Sequence, residues 1–208
     1  MMPSSYRPLR PADFIGCARR AAESLDALLA AIRPTGDPSK VLILGRPGIG
    51  KSALADYFMR QLGCDRWHTT LLNGTQLKIE MVEEIAGSVR YKELFGEYRV
   101  LRVEEVDRVP VVAQVRLLTL LDGLPKHTAV VCTSNCSLKD LEERFQSRFL
   151  VLEVAPPKDV EIAELIRKIA PRLDDSTVRQ IATFACGNVR QALLDADNAL
   201  LNSRSAAA

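Results

Sequence analysis

The residues best equipped for chemistry are the octet Gly45 to Ser52, GRPGIGKS, which carries the spacing G-x-x-x-x-G-K-[ST] in full. Gly45, Gly48 and Gly50 free the backbone to take positive φ and turn its N–H groups onto an anion. The ammonium of Lys51 can reach the β and γ phosphates of a nucleotide, and the Ser52 hydroxyl can ligate Mg²⁺ at a helix N-terminus that already favours negative charge. Pro47, Gly48, Ile49, Gly50, Lys51, Ser52 and Ala53 are therefore the expected contacts to a nucleoside triphosphate, with ATP and Mg²⁺ as the pair to be bound.

A phosphate loop needs a carboxylate at the tip of a neighbouring strand for the metal shell and a second one to polarise an attacking water. Val100-Leu-Arg-Val-Glu-Glu-Val-Asp107 is the segment with that layout, which makes Glu104 the metal residue beside Ser52 and Glu105 the general base. Glu104 stands where the shorter Asp is usual, and Mg²⁺ tolerates little departure from octahedral geometry, so nucleotide binding with slow hydrolysis is the expectation. Arg102 interrupts an otherwise apolar strand, and implies that one face of it is less buried than the ideal pattern.

The surrounding elements must be ones that present these side chains together. Val41-Leu-Ile-Leu44 is a short apolar run breaking into glycines, as a parallel strand covered on both faces should. Ser52 to Leu62 reads as a helix, His68 to Leu72 as a strand, and Val82, Ile85, Ala86 and Val89 carry the helical period. Val100 to Val103, Ala129 to Cys132 and Phe149 to Val154 supply three more strands with room for helical crossovers, so an α/β fold with a five-stranded parallel sheet is expected. Before the sheet, Leu25, Leu28, Leu29 and Ile32 mark an amphipathic helix ended by Pro34 and Gly36. Met1 to Phe14, with Pro3, Pro8 and Pro11, reads as an extended arm across the core. After Pro156-Pro157 three helical patterns follow, through Ile162, Leu165, Ile166 and Ile169, through Val178, Ile181, Ala182 and Ala185, and through Val189, Ala192, Leu193 and Ala196. The expected division is 1–155 for the nucleotide-binding core, including the arm 1–16, then 156–202 for a three-helix lid, then a frayed tail 203–208.

Composition sets broad limits. With 208 residues, 47% of them hydrophobic, the chain can bury a substantial core, while a formal net charge of +2 leaves any contact with a nucleic-acid backbone to local patches. Arg90, Lys92, Arg99, Arg108 and Arg116 form such a patch around the acidic strand, without interleaved aromatics, and a solvated basic face explains them equally well. Five cysteines without a C-x-x-C pair fit buried thiols in a reducing compartment, and no run is long enough to span a bilayer, so the reading is cytoplasmic with no membrane partner.

These residues resemble one lineage of AAA+ ATPases, the clamp-loader motor subunits (like the replication factor C small subunits), with the Holliday-junction branch-migration motor as a close relative. The likeness covers nearly the whole chain and implies a P-loop AAA+ core followed by a small helical lid. Tyr6-Arg-Pro8 with Asp13-Phe-Ile-Gly16 is similar to the arm that closes over adenine, implicating Tyr6, Arg7, Pro8, Phe14, Ile15 and Gly16 in base binding. Cys132-Thr-Ser-Asn135 resembles the sensor-1 element, so Asn135 is implied to position the attacking water. Glu143-Arg-Phe-Gln-Ser-Arg-Phe149 resembles the Ser-Arg-Cys motif with Phe149 in place of Cys, and nominates Arg148 as an arginine finger acting on a neighbouring subunit; a surface ion pair is the alternative. Gly187-Asn-Val-Arg190 resembles sensor 2, implying that Val189 and Arg190 face the nucleotide; a cation in a first helical turn also calls for an anionic partner. The catalytic set so implied is Lys51, Glu105, Asn135 and Arg148.

The chain departs from the family in ending after the lid, without a C-terminal helical collar or winged-helix domain, and in having only Cys64 where bacterial motor subunits carry a four-cysteine zinc insert. It reads as a minimal or truncated form. The resemblance implies an oligomeric ring or spiral of like or unlike AAA+ subunits, acting on DNA and a sliding clamp. A slow assembly switch that recruits a protein partner, and a branch-migration motor, are the alternatives; no aromatic pore loop of the unfoldase kind is present.

Overall fold

Apolar strands alternating with helices place one sheet between two helical layers, as seen in the computed structural model, which describes residues 2–64, 68–89, 98–137 and 143–205. In chain order the elements are α1 (Gly16–Ile32), β1 (Ser39–Leu44), α2 (Lys51–Gln61), β2 (Thr69–Asn73), α3 (Ile79–Val89), β3 (Arg99–Glu104), α4 (Val111–Asp122), β4 (Thr128–Ser134), α5 (Glu143–Gln146), β5 (Leu150–Glu153), α6 (Asp159–Ile169), α7 (Asp175–Phe184) and α8 (Val189–Ser205). The five strands are parallel in the order β2-β3-β4-β1-β5.

Alternation along the strands sorts the core into two layers. Val41 and Ile43 of β1, Val100 of β3 and Ala129 and Val131 of β4 pack against α1 and α2, where Leu25, Leu54 and Phe58 are wholly buried. Leu42 and Leu44, Leu101 and Val103, and Val130 and Cys132 face α3 and α4 on the other side. Each such Val, Leu or Ile side chain contributes roughly 1.5–3 kcal/mol by leaving water. The parallel register brings the C-terminal ends of β1, β3 and β4 side by side: Val103 opposes Cys132, and Leu44 opposes Ser134. That edge carries the phosphate loop, the acidic pair and Asn135.

Helices α6 to α8 enclose a small core of their own, built from Ile162, Ile166, Val178, Ile181 and Ala182 with Ala192 and Ala196 of α8. Alanines on α8 let its backbone approach closely.

Four expectations are corrected. The N-terminal arm is not extended throughout, because Pro3 and Pro11, with φ preset for a helical turn, open one-turn 3₁₀ segments at Pro3–Ser5 and Pro11–Asp13. It also reaches beyond the core: the Ser4 N–H donates to Asp197 Oδ2 of α8 at 3.1 Å, and Lys168 of α6 pairs with Asp13 at 3.1 Å. The tail is not frayed from residue 203, since α8 continues through Ser205; residues 206–208 lie outside the described ones. Arg102 does not mark an open strand face, being only 8% exposed and held in ion pairs. Nor are all five cysteines buried thiols: Cys64 and Cys132 are buried, but Cys17 and Cys136 are half-buried and Cys186 is exposed.

Candidate functional site

A cavity of about 600 Å³ opens at the C-terminal ends of β1, β3 and β4, between the arm, the sheet and α8. Its floor is the loop from Pro47 through Ala53. Gly45, Gly48 and Gly50 have φ of +147°, +80° and +106°, so the loop's path needs residues without a Cβ. Gly50 is the N-cap of α2 and offers no side chain to its first N–H groups, leaving the helix start as an anion site. Lys51 is 8% exposed; its ammonium donates to the carbonyls of Gly45 and Arg46 at 2.7 and 2.9 Å and to Asn135 Oδ1 at 2.8 Å. Burial pushes this ammonium below the ordinary lysine range, with Arg190 adding to the effect and Asp107 and Glu105 opposing it.

The acidic pair leaves β3 by different paths. Glu104 ends the strand and faces the cavity, with Oε1 taken by Arg102 at 2.6 Å. Glu105 adopts a left-handed backbone, φ 53° and ψ 50°, a strained conformation for a residue with a Cβ. Its carboxylate accepts from Asn135 Nδ2 at 3.5 Å and lies 3.4 Å from Arg108. Asp107 secures the neighbouring strand end by accepting from Ser134 Oγ at 2.7 Å and the Asn135 N–H at 3.3 Å.

Tyr6, Arg7, Pro8, Phe14 and Ile15 line the arm side, where Phe14 packs edge-on against Tyr57 with ring centroids 5.6 Å apart. Val189 and Arg190 line the lid side. Asn188 Oδ1 accepts from the Gln191 N–H at 3.1 Å as a helix cap, and the Arg190 N–H donates to the Gly48 carbonyl at 3.0 Å. Two nominated residues stand apart from the cavity lining. Gly16 starts α1 at φ +54° beside the Glu161 carboxylate, turning the chain from the arm into the helix without lining the cavity. Arg148 grips Asp122 through two bonds of 2.7 Å, and each partner shifts the other: the Asp122 carboxyl is held below its usual range and the guanidinium raised.

Other residues join the site unannounced. Asp56 lines the cavity four residues, one helical turn, after Ser52 on α2, a spacing the sequence displays. Arg102 lies two residues before Glu104 on the same strand face, a period that is also visible. Leu193 and Leu194 follow Arg190 by one turn, while Ser4, Asp13 and Leu165 enter through tertiary packing alone. Gly74 has a tighter role: a Cβ there would lie 2.1 Å from the Glu105 carbonyl oxygen. Of the basic patch, Arg108 pairs with Glu105 and Arg116 with Glu83, while Arg90 and Lys92 lie outside the described residues.

A glycine-floored cradle at a helix start, a buried ammonium and an apolar arm fit a nucleoside triphosphate. Ser52 and Glu104 line the same space and suit a divalent ion by donor type, although one Glu104 oxygen is engaged by Arg102.

Residues 40–165 match the family described as "AAA domain (dynein-related subfamily)". The chain is 22% identical over 199 residues to a protein named probable replication factor C subunit 5 from Dictyostelium discoideum, covering 90% of this chain and 56% of that protein. It is 25% identical over 197 residues to a replication factor C small subunit from Methanocella arvoryzae, covering 90% and 59%. Over 120 residues it is 32% identical to a Holliday junction branch migration complex subunit RuvB from Salinispora tropica, covering 57% and 31%. The solved structure of the Thermotoga maritima RuvB Holliday junction branch migration motor superposes with a TM-score of 0.72 at 24% identity, covering 90% of this chain and 62% of that one. The chain thus spans less than two thirds of the length of these replication factor C and RuvB relatives.

Proposed function

This chain belongs to the AAA domain family, and from that premise we propose that it is an ATPase that binds Mg·ATP in the cavity above the phosphate loop and works between subunits of an oligomer. The observation that carries the reading is convergence: Lys51, Glu105, Asn135 and Arg190, drawn from four elements, line one space with the loop.

Lys51 already holds three oxygen acceptors, so phosphate oxygens exchange with them at little desolvation cost. The N–H groups at the start of α2 take the phosphate charge, and the apolar arm residues shelter the base. Glu105 accepts the proton of the attacking water, and Asn135, in contact with both Lys51 and Glu105, orients that water. Ser52 and Glu104 are the residues that would hold Mg²⁺, which supplies charge neutralisation at the transferred phosphate. Arg148, outside its own cavity, serves as a finger for a neighbouring subunit's nucleotide.

The relatives named for replication factor C and for Holliday junction branch migration support a DNA-associated remodelling step, clamp loading by preference and branch migration as the alternative, with other AAA+ subunits and DNA, and a sliding clamp, as partners. No helix among the described residues is long and apolar enough to cross a membrane, and we place the protein in the cytoplasm. One observation favours a second reading, a slow assembly switch: one oxygen of Glu104 is already bonded to Arg102, which weakens its hold on a metal.

The test is ATP turnover with and without primed or branched DNA, for the wild type and Glu105→Gln, alongside ATP-dependent mass. DNA-stimulated turnover lost in Glu105→Gln supports the motor; background turnover with every DNA, while ATP still drives assembly, leaves the switch.

A further inference from the structure

Arg102 is a charged group beside the cavity that the proposed chemistry leaves unused. On β3 it follows Val100 and precedes Glu104 on the face toward α2, a position where an apolar side chain would complete the layer. Instead the guanidinium is 9% exposed by side chain and donates from Nη2 to Glu104 Oε1 at 2.6 Å and from Nη1 to Asp56 Oδ1 of α2. Its Nε is buried and has no hydrogen-bond partner among the described residues. Isolating a cation there is unfavourable, so its two carboxylate partners are what make the position tenable. Both partners, Asp56 and Glu104, line the cavity, while Arg102 lies behind them.

We propose that Arg102 is an internal counter-cation for the acidic strand end: by holding Glu104 and Asp56 it takes over part of the charge neutralisation otherwise left to Mg²⁺, so that nucleotide is held with little dependence on the metal. This rests on the ATP reading of the cavity. Two cations drawn to one carboxylate repel each other, so Arg102 weakens the metal's hold on Glu104, and the metal must loosen the Arg102 contact to gain it. Glutamate at position 104 suits this pairing. Its extra methylene lets the carboxylate bend back to a guanidinium two residues earlier on the strand while the side chain still borders the cavity; the shorter Asp has less reach. Arg102 is a positioning residue, acting through Glu104 and touching no substrate.

A brace between α2 and β3 is the competing explanation, and it makes no statement about metal. The decisive comparison is the Kd of ATP in EDTA and in Mg²⁺, with Mn²⁺ binding to the ATP-loaded protein read by electron paramagnetic resonance, for the wild type, Arg102→Met and Arg102→Lys. In the wild type, Mg²⁺ should change the ATP Kd by less than about threefold; in Arg102→Met that ratio and the Mn²⁺ affinity should both rise by about tenfold or more, since an unopposed carboxylate pair then faces the ion. Arg102→Lys, which keeps the charge, should stay near the wild type. An Arg102→Met protein that melts like the wild type and keeps its metal ratio overturns the proposal and leaves the brace. Should Arg102→Met not fold, the wild-type ratio decides: an ATP Kd that Mg²⁺ changes by less than about threefold agrees with a carboxylate pair already compensated, and a change of tenfold or more contradicts it. A wild type that binds ATP only with Mg²⁺ also refutes it. A wild type that binds no ATP in either condition removes the nucleotide reading itself, and this inference with it.

Discussion

The main-chain N–H of Arg190 donates to the carbonyl of Gly48 at 3.0 Å, so the first turn of α8 is bonded directly to the phosphate loop. The contact has no slack. Gly48 has φ +80°, and a Cβ there would stand 1.9 Å from Asn188 Oδ1. Gly48→Ala should therefore push α8 off the loop, adding roughly 1–2 kcal/mol of backbone strain. The expected outcome is a folded protein with ATP affinity lowered by about tenfold or more, the equivalent of ~1.4 kcal/mol. Calorimetric titration checks it, and unchanged affinity would mean the loop and α8 move independently.

A similar close approach supports Glu105, the proposed general base. Glu105 is held in a left-handed conformation, and Gly74 packs against its carbonyl so closely that any side chain would displace it. Gly74→Ala should lower kcat by about tenfold or more while leaving ATP affinity within about threefold, because the strained turn aims Glu105 and does not form the cradle. Separate measurement of kcat and ATP Kd distinguishes this from general destabilisation.

Much of this frame was legible from pattern. Val41–Leu44 and Ala129–Cys132 announce buried strands because both faces are covered, and the loop glycines announce their positive φ by type. The acidic strand end pointed to Glu105, and the resemblance of Cys132-Thr-Ser-Asn135 to sensor 1 pointed to Asn135; both line the cavity with Lys51. What stayed hidden depends on distances across elements. Asp56 and Arg102 belong to different elements, and the lone strand arginine looked like a sign of solvent when it is a sign of two carboxylates. Gly74 carries no motif; its need for glycine exists only once Glu105 lies on it. The arm's short helical turns follow from Pro3 and Pro11, whose fixed φ suits a helix start as well as an extended chain.

Arg148 is paired with Asp122 on its own chain, so a role in trans requires that pair to open. Arg148→Ala should leave ATP affinity unchanged and lower turnover on the order of 10³-fold. Mixed with Lys51→Ala, it should recover part of the activity, because each variant supplies what the other lacks at a shared interface. No recovery at any mixing ratio would argue that Arg148 is a surface ion pair.

The depressed Lys51 ammonium sets a pH dependence. Its pKa in the free protein lies below the ordinary value of about 10.4, and bound phosphates favour the charged form and raise it. Below the free-state pKa the ammonium is present before and after binding, and affinity is flat with pH. Above it, binding takes up a proton, so affinity falls as pH rises toward the bound-state value. Titrations in buffers of different ionisation enthalpy should show proton uptake on the alkaline side only. Proton release there would contradict the assignment.

In the proposed function GRPGIGKS, with Lys51 as its seventh residue, cradles ATP. Isothermal titration of ATP into the wild type and into Lys51→Ala tests it most directly, with thermal melting to show that both are folded. The wild type should bind one ATP per chain, and Lys51→Ala should show no measurable binding at the same concentrations; an equal affinity in the two proteins would contradict it.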